Sequence, residues 1–277
     1  MYKILTAGIL AMSTISAAAQ PLRTPAASST QSVKQDFGLT SIELSYSRPS
    51  MKGRTIFGEL VPYGSVWRTG ANNATTISFA DEVIIGDKKV PAGKYGLLSI
   101  PNAGEWTLIL TKQLDVTSPS AYKPEMDVVR VKATPQSLPF SIETFTMMFS
   151  NVTASGIDLQ IIWDQTAVTL PIRQDVEARV MAQIENAMNK DTRPYAQAAQ
   201  YYVENGKDLN KAAQWFDKAT ELNPNQYWVW YQKANCLAKL GRKADATAAA
   251  KKSMELATAA KNPDYVTLNQ KLLATLK

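Results

Sequence analysis

Apolar and polar residues change their spacing near residue 173. Upstream they alternate: Ile42, Leu44 and Tyr46 are separated by Glu43 and Ser45 and flanked by Ser41 and Ser47. That two-residue period marks a strand with one buried face. Similar runs lie at Thr75–Phe79, Val83–Ile85, 94–100, Trp106–Thr111, 128–133, 142–149, 157–163 and 168–172. Turn-forming residues set them apart: Gly86-Asp87, Pro91-Ala92-Gly93, Asn102-Ala103-Gly104, Ser155-Gly156 and Asp164-Gln165. Many short strands with no helical period between them predict an all-β antiparallel sandwich over residues 32–173, a barrel being the other way to close such sheets.

Downstream the spacing becomes helical. Val176, Val180, Ile184 and Met188 recur every fourth residue, predicting an amphipathic linker helix over 174–191. Two copies of one pattern follow, with Ala212 and Ala246, Lys218 and Lys252, and Leu222 and Leu256 each 34 residues apart. Asn262-Pro263 opens a last helix through Leu268, Leu272 and Leu276 that would cap the stack. The spacing is the tetratricopeptide period, and the copies resemble that repeat at Ala212, Phe216, Ala219 and Pro224, then at Trp230, Gly241, Ala246 and Leu256. They depart from it at Lys233, Ala250 and Thr258, where a core Leu, an aromatic and the closing Pro would stand. The resemblance implies a small all-α array over 192–277 that contacts a protein partner. Its contact positions would be Gln197, Tyr201 and Glu204, then Trp228, Tyr231, Asn235 and Lys239. Trp228, Val229, Trp230 and Tyr231 are consecutive, so they cannot all face one core.

The first residues follow neither period. Lys3, a mostly apolar stretch over 4–15 and Ala17-Ala18-Ala19 before Gln20-Pro21 have the layout of a secretory signal peptide, residues 1–19. The stretch is too short and too interrupted for a membrane span, so the mature chain is expected to be exported, periplasmic or secreted, without a transmembrane anchor. Residues 20–31 read as a flexible leader. The net charge of +6 is spread along 277 residues, without the basic stripe that nucleic-acid binding needs. Cys236 is the only cysteine, so no intramolecular disulfide forms, and its helical setting suits a core residue.

Histidine is absent, which removes Ser-His-Asp and Cys-His catalysis and His-containing metal sites. No cofactor motif is present. Carboxylate pairs remain, among Glu43, Glu59, Asp81 and Glu82, without a spacing that singles out an acid and its partner. Ser120-Ala121-Tyr122-Lys123 has the S-x-x-K form of serine–lysine acylases but lacks their companion elements. The stronger signal is the Gly- and Pro-rich interval over 47–74, too long for an ordinary connection. It carries Arg48, Lys52, Arg54 and Arg68 among Phe57, Tyr63 and Trp67. Arg48, Arg54, Trp67, Arg68 and Asn72 are therefore the candidate residues for a small anionic or carbohydrate ligand. The other reading, to which the balance leans, is that these arginines pair with Asp or Glu and pin the loop onto the sandwich, with Trp67 filling core.

Tyr46-Ser47-Arg48-Pro49-Ser50, Lys52-Gly53-Arg54, Ile56-Phe57-Gly58, Val61-Pro62-Tyr63-Gly64 and Trp67-Arg68-Thr69-Gly70-Ala71-Asn72 together resemble the hallmark of domain of unknown function 2911. Pro91-Ala92-Gly93, Tyr95 and Glu105-Trp106 extend the likeness, which covers about residues 21–173. The resemblance implies an exported protein of Bacteroidetes origin and no particular activity. Asn73 and Asn151 are then not glycan acceptors. The expected function is an exported binding and scaffold protein; the alternatives are a carboxylate-dependent hydrolase of envelope glycans or a purely structural envelope protein.

Overall fold

The alternating residues form ten strands in two antiparallel sheets among the described residues. The structure, a computed structural model, describes residues 24–189 and 193–276; the export segment expected at 1–19 lies outside them. The larger sheet has the order β1-β2-β3-β6-β7-β8: Ser29–Phe37, Thr40–Arg48, Thr75–Phe79, Gly93–Ile100, Trp106–Thr111 and Asp127–Ala133. The smaller has the order β5-β4-β10-β9: Lys88–Val90, Val83–Ile85, Gly156–Arg173 and Gln136–Ser150. Ile42, Leu44, Leu97 and Leu108 of the first sheet share one core with Ile85, Phe145, Leu159 and Leu170 of the second. The expected sandwich is therefore the fold.

Its boundaries differ from the pattern in three places. β1 begins at Ser29, inside the stretch read as leader. Its one buried hydrophobic residue is Phe37 at the end, so it shows no apolar face to the eye. The runs at 157–163 and 168–172 are a single strand, β10. Asp164, read as a turn, instead adopts φ 51 within a register shift against β9, and accepts a 2.7 Å hydrogen bond from the Ser141 hydroxyl. It is a bulge that bends the strand without ending it. β9 reaches back to Gln136 through Pro139, which an edge strand tolerates.

β6 and β7 are apolar on both faces because both are covered. Leu97 and Leu108 look into the sandwich, while Leu98 and Ile109 pack outward against Ala74 and Val116.

After Arg48 the chain leaves the large sheet and joins the small one. Phe145 donates its N–H to the Pro49 carbonyl at 2.8 Å, Met51 donates to Glu143 at 2.9 Å, and Ser50 bridges Thr144. Trp67 then returns to the large sheet, exchanging backbone hydrogen bonds of 2.7 and 2.9 Å with Ser99. The segment between them buries Ile56 and Val61 in the core. The long interval is thus packed structure that spans the sheets at one end.

The chain divides between Gln174 and Asp175. The second unit holds α1 Glu177–Met188, α2 Tyr195–Glu204, α3 Leu209–Leu222, α4 Tyr227–Lys239, α5 Lys243–Ala259 and α6 Pro263–Thr275. The side chain of Asp208 caps α3 by accepting the N–H groups of Asn210 and Lys211, and Asn262 caps α6 ahead of Pro263. The 34-residue partners Ala212 and Ala246 are both fully buried, and Cys236 is a core residue whose thiol burial pushes its pKa up. Lys233, the oddity of the second copy, is accommodated by its surroundings. Its ammonium pairs with Asp217 at 2.8 Å and sits 4.7 Å above the Trp230 ring, a cation–π arrangement that offsets its partial burial.

Candidate functional site

A cavity of about 490 Å³ opens beside the 49–71 segment, within the size range of small-molecule sites. Its aromatic wall comes from Trp67 and Trp163, stacked with centroids 6.0 Å apart and planes 17° from parallel. Phe57, Trp106 and Phe145 meet these indoles edge-on, with centroids 5.2–6.5 Å apart. Such packing holds the rings in place. The indole N–H groups are occupied as well: Trp67 donates to the Gly70 carbonyl at 3.0 Å, and Trp163 to Glu143 at 3.1 Å. Trp163 is only 2% exposed, so the ring surface left to face the cavity is chiefly that of Trp67.

Three cations share that lining: Lys52, Arg54 and Arg68. Arg54 donates to the carbonyls of Met51 and Ser50, which holds its guanidinium over the turn. Arg68 donates one Nη to the Thr117 carbonyl at 2.5 Å, while its Nε–H is sealed from solvent and has no partner among the described residues. An unpaired buried donor of this kind costs about 1–3 kcal/mol. None of the three forms an ion pair among the described residues. Glu143 approaches Lys52, but its carboxylate accepts the backbone N–H.

The backbone beside Arg68 is strained. Buried Thr69 adopts φ 50, Gly70 φ 151 and Asn72 φ 59. A positive φ is unusual for any β-branched residue, and the surroundings enforce it here. Thr69 shares its hydroxyl with Ser99 at 2.9 Å, and its carbonyl accepts the Thr75 hydroxyl at 2.6 Å. Strain of this kind collects at ligand sites. It was invisible in the sequence, where Thr69 carries no signal.

Of the five ligand candidates, Arg54, Trp67 and Arg68 line the cavity together. Arg48 and Asn72 do not. Arg48 donates to the Phe145 carbonyl and the Thr146 hydroxyl, tying the two sheets. Asn72 donates to the Ser28 carbonyl and the Ser47 hydroxyl. Both are ties, and they bind oxygen atoms of backbone and hydroxyl groups instead of the carboxylates expected of a pin. The lining also includes Lys52, counted among the interval's cations but not among the ligand candidates, and Trp163, which the sequence reasoning missed. Trp163 lies more than ninety residues from the loop, and nothing in the pattern joins them. Glu43, Glu59, Asp81 and Glu82 are not in the cavity lining. The Ser120 hydroxyl meets Ser118, and the Tyr122 hydroxyl donates to Asp127.

In the helical unit a second hollow, about 380 Å³, lies where α2, α3 and α4 meet; Gln197 and Trp228 line it with Gln200 and Gln232. Trp228 is 44% exposed, so it is the aromatic that the run Trp228–Tyr231 leaves facing outward. Glu204 is exposed at the far end of α2. The other candidates are occupied within the array. Tyr231 packs on Tyr265 at 5.6 Å, Asn235 donates to the Tyr231 carbonyl, and Lys239 reaches the Val203 carbonyl at 3.4 Å. Burial and the neighbouring Glu177 push the Tyr201 hydroxyl's pKa up.

The architecture defines a class: an antiparallel β-sandwich carrying a cation-lined cavity, followed by tetratricopeptide repeats. Tetratricopeptide repeat families match residues 192–226 and 215–248. Residues 28–172, just over half of the chain, match the family described as "Protein of unknown function (DUF2911)", and the chain belongs to that family. No curated protein and no solved structure matches it. Among the described residues, no helix is long and apolar enough to cross a membrane.

Proposed function

We propose that this is an exported binding and scaffold protein, whose β-sandwich holds a small ligand in the cavity at Arg54, Trp67 and Arg68. The tetratricopeptide repeats suggest protein–protein interaction, and the hollow at Gln197 and Trp228 is the surface assigned to that partner. One observation carries the ligand site: three cations with no ion-pair partner among the described residues line a cavity walled by Trp67, which is backed by the stacked, buried Trp163. Such a site grips a molecule through fixed rings and donors. Its lining holds no carboxylate, so it lacks the acid and base of glycoside hydrolysis. Export is supported by the sequence of residues 1–19 alone.

The test is a thermal-shift screen of the full-length protein against glycans, peptides and anionic metabolites. A ligand that binds the native state raises Tm, and the rise grows with the logarithm of its concentration over Kd. Arg68→Gln should abolish that rise while the unliganded protein still melts cooperatively. If no compound moves Tm, the cavity is a brace; if Lys52→Gln and Arg54→Gln leave ligand stabilisation intact, the ligand binds elsewhere.

A further inference from the structure

The chemistry of the cavity lining narrows the ligand further. Every charged side chain in it is positive: Lys52, Arg54 and Arg68. It contains neither carboxylates nor carboxamides; the remaining side chains are serines, aliphatic residues, prolines and the two tryptophans. Neutral sugars present hydroxyls that both donate and accept, and a site for them supplies strong acceptors as well as donors. This lining supplies charged donors, four serine hydroxyls and apolar surface. With their N–H groups bonded to the Gly70 and Glu143 carbonyls, the indoles add no polar contact. Leu60, Val61, Val66, Pro49, Pro62 and Pro119 extend the apolar surface.

The cations are arranged to meet an oxyanion. The Thr117 carbonyl fixes one Nη of Arg68, while the Nε–H on the other edge lacks a partner. Nε–H and the second Nη lie together on that edge of the guanidinium, a two-pronged donor whose geometry suits a carboxylate or phosphate. Lys52 and Arg54 add positive charge nearby; the Glu143 carboxylate accepts the Lys52 backbone N–H from outside the lining, so positive charge predominates within it.

We propose that the cavity binds a small amphipathic anion: one oxyanion head group at Arg68, Arg54 and Lys52, and an apolar body against the Trp67 ring and the neighbouring Leu60 and Val66. Neutral saccharides are excluded. This rests on the binding role proposed above and assigns its ligand class; carboxylates and phosphate monoesters share the required chemistry.

Calorimetric titration of the full-length protein with matched probes tests it. Phenylacetate, indole-3-acetate and hexanoate are each compared with the corresponding neutral amide; phenyl phosphate, inorganic phosphate and maltose complete the set. At least one acid or phosphate monoester should bind and quench tryptophan fluorescence. Its neutral counterpart should bind at least about tenfold more weakly, equal to 1.4 kcal/mol. Preference for acid or phosphate monoester identifies the head group, and raising salt should weaken binding. The variant Lys52→Gln/Arg54→Gln, which leaves the Arg68–Thr117 tie in place, should lose several-fold in affinity. Equal binding of acids and amides, or binding of maltose in place of the anions, overturns the ligand class and leaves a binding role standing. Inorganic phosphate binding as tightly as the organic anions overturns the part assigned to the apolar body. No binding by any probe here or in the wider screen overturns both proposals.

Discussion

Gly70 packs tightly against its scaffold. A Cβ there would sit 3.1 Å from the Ser47 carbonyl and 3.3 Å from the Thr75 hydroxyl, on a backbone at φ 151. Neither neighbour is the loose end of a flexible chain. Gly70→Ala should therefore lower stability by about 1–3 kcal/mol, read as a shift of the urea midpoint with little change in slope. Tyr122 makes a second residue-level prediction. Its burial and its hydrogen bond to Asp127 push its pKa up to about 12, above the value near 10 expected when unfolded. The folded state thus holds this proton more tightly. The resulting stability is fully present below about pH 10 and is lost as pH rises towards 12. Tyr122→Phe should flatten that alkaline decline, seen in denaturation midpoints measured from pH 9 to 12.

Among elements, the 49–71 segment behaves as part of the core. Phe57 lies within 6.5 Å, ring to ring, of Trp67, Trp106 and Trp163. Phe57→Ala should cost about 3 kcal/mol and loosen the aromatic wall, weakening ligand binding as well as shifting the denaturation midpoint. Strands whose one face is buried, such as β2 and β3, were legible in the alternation of the sequence. β1 was not, because its inward positions are polar or only partly covered. Nor was the joining of two apolar runs across Asp164, since Asp in a left-handed bulge and Asp in a turn leave the same mark on the sequence. Three of the five ligand candidates could be found because Arg and Trp crowd into one interval. The roles of Arg48 and Asn72 as ties depend on Phe145, Thr146, Ser28 and Ser47, contacts that no local spacing encodes.

For the whole chain, each unit has a core of its own: twenty-six buried residues centre on the sandwich, and fourteen on the helices. Residues 24–174 and 175–277 should each fold when produced alone, with a cooperative melt by circular dichroism for both. Failure of either fragment to melt cooperatively would mean that its core depends on the rest of the chain.

The passage of the chain from one sheet to the other at Pro49 has a further consequence, for the order of assembly. Tyr46 reaches the Met147 carbonyl across 101 residues, Arg48 the Phe145 carbonyl across 97, and Ser50 meets Thr144 across 94. Loop-closure entropy must be overcome before any of these contacts forms, which makes such non-local pairings slow. A nascent chain that has not yet delivered its ninth and tenth strands has hairpins but no binding site. The cavity is therefore completed late, and a refolding protein should regain its backbone spectrum before it regains its ligand.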